Sequence, residues 1–164
     1  MEDQQWSELL GQSEYLAEDN ESAFKALGSA DEKQKAILAI LKLLSVSMAT
    51  VPFEGGNDEG YIEPVQLELE SGDKREVKVL YKPWNFTLRR AVWPDGQEPS
   101  ELAHRESRLA ELLSYPIDVC YGSFAGEFSV HGDFIWNVET GHTGFQQHYQ
   151  VYQYDNEEWP GENE

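Results

Sequence analysis

The segment with the strongest chemical character spans residues 53–63 and has the sequence FEGGNDEGYIE. Its four carboxylates, at Glu54, Asp58, Glu59 and Glu63, surround three glycines. Glycine permits tight turns, and hard cations such as Ca²⁺ and Mg²⁺ take carboxylate oxygens as ligands. The spacing is not that of the helix-loop-helix calcium loop, whose ligands alternate before a closing glutamate. We therefore expect a structural turn with solvated carboxylates and no metal or other cofactor.

The histidines and the single cysteine form no catalytic motif. Four histidines are scattered along the chain: His104, His131, His142 and His148. They match neither the HExxH pattern nor a paired-cysteine zinc motif. Cys120 follows Ile117 and Val119, which is typical of a core position and not of a nucleophile. The sequence also lacks a phosphate-binding glycine loop and a serine nucleophile elbow, so no motif names a reaction.

The charge is strongly acidic and unevenly distributed. Twelve Lys and Arg against 31 Asp and Glu give a formal net charge of −19. Residues 1–32 hold nine acidic residues and one lysine, and residues 109–164 hold ten acidic residues and no Lys or Arg. Phosphate binding needs a basic surface, so we expect no direct binding of nucleic acid. A basic segment lies between the acidic ends and is a candidate to pair with them: Lys74, Arg75, Lys78, Lys82, Arg89 and Arg90.

Aromatic residues near the end of the chain adjoin further carboxylates. Tyr152 and Tyr154 are followed closely by Asp155, Glu157 and Glu158. Aromatic anchors ringed by acidic groups suit a basic partner protein. Core burial is nevertheless the role expected for most of the aromatic residues in question: Trp84, Phe86, Trp93, Tyr149, Tyr152, Tyr154 and Trp159.

The N-terminal third has helical patterning. Apolar residues recur at helical spacing between Trp6 and Leu27 and predict two short amphipathic helices. Ser29 and Glu32 have the spacing of a capping box, which predicts the start of a longer helix from about Ala30 to Ala49. Because that helix has little polar surface, we expect it to pack across a sheet as the central core helix.

The remainder of the chain has the pattern of strands and turns. Alternating apolar residues over 65–81, divided by Ser71-Gly72-Asp73, predict a hairpin. Ser100 can cap a helix over 101–114, and a turn at 131–133 is expected to separate two later strands. A last strand is expected over 145–154, before an acidic tail. The predicted fold class is α+β, with N-terminal helices packed on an antiparallel sheet of about five or six strands, in a single domain of residues 1–164.

The segment 53–63 resembles the loop F-D-G-x-G-D-S-G-x-I-E of a family of uncharacterised bacterial, phage and plasmid proteins, a domain of unknown function. The stretch from Gly122 to Phe128 also resembles that family's Gly-aromatic-Gly-x-Phe strand. The resemblance covers about residues 34–70 and 100–154, and it departs from the pattern at Glu54 and Asn57. It implies a single α+β domain in which Gly55, Asp58, Gly60 and Glu63 form one feature, and it implies no activity.

The expected location of the protein is the cytoplasm. The single cysteine cannot form an internal disulfide, and no basic segment followed by an apolar run opens the sequence. The most apolar run, residues 37–48, is too short to span a membrane and contains Lys42.

We favour a non-enzymatic interaction protein that binds and masks a basic or nucleic-acid-handling partner protein, in the manner of nucleic-acid mimics, immunity proteins and phage anti-defence inhibitors. The predicted binding residues are Glu54, Asp58, Glu59, Glu63, Tyr152, Tyr154, Asp155, Glu157 and Glu158. The first alternative is a metal-dependent hydrolase that uses Glu54, Asp58 and Glu63, with His131 or His148 as acid or base. The second alternative is a structural or ligand-binding homodimer that forms through an exposed strand edge.

Overall fold

The computed structural model describes residues 2–17, 21–56, 59–121 and 128–152. The helices in that part of the chain are α1 (Asp3–Gly11), α2 (Glu21–Lys25), α3 (Ala30–Leu43), α4 (Glu101–Leu113) and α5 (Tyr115–Tyr121). The strands are β1 (Val46–Gly56), β2 (Glu59–Ile62), β3 (Val65–Leu69), β4 (Lys74–Val77), β5 (Trp84–Asn85), β6 (Arg90–Ala91), β7 (Phe128–Asn137) and β8 (Thr143–Tyr152). No helix of these residues is long and apolar enough to cross a membrane.

Six strands form the main sheet, and β1 is its central strand. The order is β4-β3-β1-β7-β8, and every pairing is antiparallel. Strands β3 and β2 share one edge of β1, where β3 pairs with its first half and β2 with its second half. Strands β5 and β6 form a separate two-stranded hairpin. The fold is therefore α+β with an antiparallel sheet, as the sequence predicts.

The core lies between one face of this sheet and the helices. Alternate residues of β1 are buried at Ala49, Val51 and Phe53, because successive side chains of a strand point to opposite faces. Buried residues of α3 and α4 join the same cluster. Trp136 of β7 donates its indole Nε1–H to the Leu113 carbonyl oxygen at 3.0 Å and so ties the sheet to the end of α4.

Both predicted helix caps are present. The Ser29 hydroxyl accepts a hydrogen bond from the Glu32 amide at 3.1 Å, and the Ser100 hydroxyl accepts one from the Ala103 amide at 3.1 Å. Each satisfies one of the amides that the first turn of a helix leaves without a backbone acceptor. The predicted starts of α3 and α4 are confirmed.

Two predicted element boundaries are wrong. Helix α3 ends at Leu43, and the chain turns at Ser45, whose φ of 59° lies in the left-handed region, before it enters β1 at Val46. Residues 46–49 are therefore strand and not helix. Similarly, β4 ends at Val77, so Val79 and Tyr81, which the sequence predicts on the return strand of the hairpin, lie outside the observed strand. A short apolar run fits a buried helix and a buried strand equally well, and the strand partners decide between them.

The predicted turn at 131–133 is also wrong. Strand β7 runs without interruption from Phe128 to Asn137, and its register with β8 shifts between His131 and Asp133. Such a bulge accommodates the Gly-Asp pair without ending the strand. The actual turn follows Asn137, whose side-chain oxygen accepts a hydrogen bond from the Thr140 amide at 3.2 Å.

Cys120 is not a core residue. It lies exposed on helix α5, next to the exposed Val119. The aliphatic residues at 117 and 119 therefore do not mark a buried strand. Ile117 alone of these faces the core.

Candidate functional site

The face of the main sheet opposite the core is open to solvent. It is formed by the residues that alternate with the buried ones on four strands: Met48, Thr50, Pro52 and Glu54 of β1, Gln66 and Glu68 of β3, Lys74 and Glu76 of β4, and His131, Asp133, Ile135 and Asn137 of β7. We call this set the open face. All of its side chains are exposed or half-buried.

The open face combines a weakly polar centre with carboxylates around it. Across neighbouring strands, Thr50 lies opposite Ile135, and Pro52 lies opposite Asp133. Glu54, Glu68, Glu76 and Asp133 carry the negative charges, and Lys74 lies opposite Glu68. Glu76 is held in place because its Oε2 accepts a hydrogen bond from Gln66 Nε2 at 2.8 Å. The formal charge of this surface is negative, with His131 neutral.

A shallow depression of about 540 Å³ lies at one end of the open face. Glu54, Glu63, His131 and Asp133 line it together with Pro52, Phe53 and Gly132. Register explains the convergence, since Glu54 lies opposite His131 and the Glu63 amide donates a hydrogen bond to the Pro52 carbonyl oxygen at 3.0 Å. Three carboxylates and an imidazole at one opening can receive a cationic side chain or act in proton transfer.

The segment 53–63 forms the β1–β2 hairpin. Gly55 pairs with Gly60 and Gly56 with Glu59, so the flanks of the predicted turn are strands. Within the predicted binding set, Tyr152 lies in β8 opposite Phe128. The remaining members fall outside the described residues: Asp58, Tyr154, Asp155, Glu157 and Glu158. In the part of the chain that is described, no group of three or more His, Cys, Asp or Glu side chains is placed to hold a metal ion.

Sequence reasoning missed three members of the acidic surface. Glu68, Glu76 and Asp133 are distant from residues 53–63 in the chain, and strand pairing brings them to the same face. The alternation of Glu68 with buried leucines on β3 is a signal for an outward carboxylate. No local signal relates Asp133 to Pro52, because that contact depends on the pairing of β1 with β7.

The basic segment does pair in part with the acidic N-terminal region. Arg75 Nη2 lies 3.1 Å from Asp3 Oδ1, and its guanidinium carbon lies 4.9 Å from the centre of the Trp6 ring. The Trp6 indole N–H in turn donates to Glu106 Oε2 at 2.9 Å. These contacts fix α1 against β4 and α4, on the side of the sheet away from the open face.

A second depression, of about 660 Å³, lies between α4 and the segment that precedes it. Two of its basic side chains approach glutamates of the same wall. Arg105 Nη2 lies 3.1 Å from Glu101 Oε1, and His104 Nε2 lies 3.3 Å from Glu98 Oε2. This balance of charges distinguishes it from the open face.

Two of the seven aromatic residues considered above are exposed. Trp84 and Phe86 belong to the β5–β6 hairpin, where their side chains are 54% and 86% exposed. Trp93 is half-buried and lies edge-on to the His104 ring, with 5.5 Å between ring centres. Trp84 and Phe86 are therefore exceptions to the core burial expected for most of these aromatic residues, and Tyr154 and Trp159 fall outside the described residues.

No protein-family model, no curated protein and no solved structure matches this chain. The resemblance of residues 53–63 to the domain of unknown function stays a prediction. Surface charge and strand geometry are the features of the molecule that bear on its function.

Proposed function

We propose that this chain is a non-enzymatic interaction protein that binds and masks a basic site on a partner protein through its open face. The observation that carries the proposal is the array of carboxylates, Glu54, Glu68, Glu76 and Asp133, around the weakly polar centre of that face. A partner's Lys and Arg side chains meet the carboxylates, and its apolar atoms cover the centre. Nucleic-acid-handling proteins, which the sequence suggests as partners, carry surfaces that combine Lys and Arg side chains with apolar atoms.

The strands make this array rigid. Strand β1 is hydrogen-bonded to partner strands along both edges, so the backbone that carries Glu54 and the neighbouring strands is ordered before a partner arrives. A preorganised surface loses less conformational entropy on binding than a flexible acidic tail does. Rigidity therefore favours tight and selective masking over loose charge attraction.

The net charge of −19 adds long-range attraction. An acidic molecule meets a cationic groove faster than a neutral one does, and salt weakens this steering because the Debye length is about 8 Å at physiological ionic strength. The same charge opposes nucleic acid, which the bound protein replaces on its partner. Binding is thus expected to weaken as salt rises and to compete with nucleic acid.

The test begins with the unmodified protein, covalently immobilised and incubated with cell lysate. Bound proteins are released in steps of NaCl, and a partner recovered at a defined step is purified for titration. We expect the double variant Glu54→Gln/Glu68→Gln to bind that partner at least about tenfold more weakly, because charge pairs at interfaces contribute strongly to affinity.

Glu8→Gln/Glu14→Gln is the matched control. It removes the same formal charge from exposed positions outside the open face. If this control lowers the affinity for the partner by no more than about twofold, the result is consistent with the proposal. Equal weakening by both variants, or binding that does not respond to salt, contradicts a specific role of the open face.

A hydrolase is the second candidate, because Glu54, Glu63 and His131 line one depression. In such an enzyme a carboxylate and an imidazole divide the roles of base and acid. Thermal melting with added Ca²⁺, Mg²⁺ or Zn²⁺ tests the metal-dependent form. A rise in the melting temperature that Glu54→Gln abolishes favours this candidate, and unchanged melting with all three ions contradicts it.

A further inference from the structure

Exposed apolar side chains are concentrated in one short segment. Residues 78–92, here called the basic hairpin, contain β5, β6 and the chain leading to them. Of the seven large hydrophobic residues that are exposed in the described chain, five lie in this segment: Val79, Tyr81, Trp84, Phe86 and Leu88. Clustering of exposed apolar groups marks interaction surfaces, whereas scattered ones are ordinary.

The hairpin projects from a fixed base. The Leu80 amide donates a hydrogen bond to the Ser107 hydroxyl of α4 at 2.9 Å, and Val92 donates one to the Pro83 carbonyl oxygen at 2.9 Å. Lys82 Nζ lies 5.1 Å from the centre of the Trp93 ring, which packs on α4 at His104. At the tip, the Leu88 amide donates to the Asn85 side chain at 2.9 Å. The apolar residues are thus presented by an ordered turn.

The charge of the hairpin is opposite to that of the rest of the molecule. Residues 78–92 contain Lys78, Lys82, Arg89 and Arg90 and no Asp or Glu. Without these four positive charges, the formal charge of the remaining chain is −23. The hairpin is therefore a basic, aromatic surface on a strongly acidic body.

We propose that the basic hairpin of one copy docks on the open face of a second copy, so that two copies pair reciprocally. The surfaces are complementary in charge, because Arg89 and Arg90 meet a face bearing Glu54, Glu68 and Asp133. They also match in polarity, since Phe86 and Leu88 need a partly apolar surface such as that around Ile135. The inference rests on the proposed function in one respect, namely that the open face receives a basic surface.

The charge of the body favours a second copy over other anionic surfaces. A membrane or a nucleic acid offers only negative charge to a body of −23, whereas a reciprocal pair places two basic hairpins between two acidic bodies. At physiological salt, repulsion between charges of the two bodies is largely screened beyond about 8 Å. The attraction between the docked groups is screened less, because these groups are in contact. Docking also covers the open face, so self-association and partner binding compete for the same surface.

Oligomeric state is the direct test. The full chain is measured by light scattering after size exclusion and by sedimentation, at concentrations up to about 200 µM, where interactions of micromolar affinity are populated. We expect a concentration-dependent dimer. Phe86→Ser/Arg90→Ser should raise its dissociation constant at least about tenfold, because both substitutions lie at the docked tip.

Val119→Ser/Lys42→Ser is the matched control. It also removes one exposed apolar side chain and one positive charge, but from α5 and α3. We expect the dissociation constant of this control to stay within about twofold of the unmodified protein. An unmodified protein that stays monomeric overturns the inference, and so does a hairpin variant that dimerises normally. Sedimentation of monomer with vesicles of phosphatidylserine and phosphatidylcholine also overturns it, in favour of a membrane surface.

The Glu54→Gln/Glu68→Gln variant separates this inference from the proposed function. If it loses the purified partner but still dimerises, the proposed function stands and the docking of the hairpin on the open face is wrong. If it becomes monomeric while partner binding is unchanged, the docking stands and the proposed function is wrong. If the proposed function and the docking of the hairpin are both correct, Phe86→Ser/Arg90→Ser is monomeric and leaves the open face uncovered. This variant should then bind the partner at least as tightly as the unmodified protein does.

Discussion

Asp118 lies on α5 in surroundings that oppose its charge. Although its side chain reaches solvent, the protein around it removes part of the carboxylate's hydration, which raises its pKa above the usual value of 3.8. The folded protein therefore holds this proton to higher pH than the unfolded chain does. Ionisation of Asp118 consequently lowers the stability of the fold as the pH rises through the raised pKa.

We expect Asp118→Asn to raise the melting temperature at pH values above the raised pKa of Asp118, where the native carboxylate is charged. The difference in melting temperature between the variant and the unmodified protein should disappear as the pH falls below 3.8, because Asp118 is then neutral in both the folded and the unfolded protein. Calorimetry from pH 3 to pH 8 measures it. Glu139→Gln, an exposed change in the turn after β7, is the control for the loss of one negative charge. An equal gain at every pH contradicts burial as the cause.

The start of α3 depends on one side chain. Ser29 accepts a hydrogen bond from the Glu32 amide, and α3 then contributes Ile37, Ile40 and Leu41 to the core. We expect Ser29→Ala to lower the free energy of unfolding by about 1 kcal/mol, because that amide loses its acceptor. Urea denaturation measures the change. Thr87→Ala, at the exposed tip of the basic hairpin, is the control, and a comparable loss there argues against the cap as the cause.

The elements that could be predicted from sequence are those specified by nearby residues. The caps at Ser29 and Ser100 and the β3–β4 turn depend on contacts within a few positions, and Glu54 and Glu63 line one depression because they flank one hairpin. The end of α3 could not be predicted, because β3 and β7 convert residues 46–49 to strand. The open face depends on the same long-range pairing.

Charge determines how the whole molecule responds to salt. A formal charge of −19 destabilises a compact chain, because its carboxylates repel one another more strongly when folded than when spread out. We expect the melting temperature to rise as NaCl increases from about 10 mM to about 150 mM, over which the Debye length shortens from about 30 Å to about 8 Å. Choline chloride at equal ionic strength separates screening from specific ion binding. Melting that is unchanged or lowered by both salts contradicts self-repulsion.

The position of β1 in the sheet has a consequence for protein synthesis. One edge of β1 receives β3, which begins nine residues after β1 ends, but the other edge receives β7, which begins 72 residues after it. On the ribosome, the central strand therefore keeps one unpaired edge until most of the chain has been made. Unpaired strand edges bind other chains readily. The nascent protein, more than the finished one, is therefore vulnerable to aggregation, and a chaperone that covers this edge would protect it.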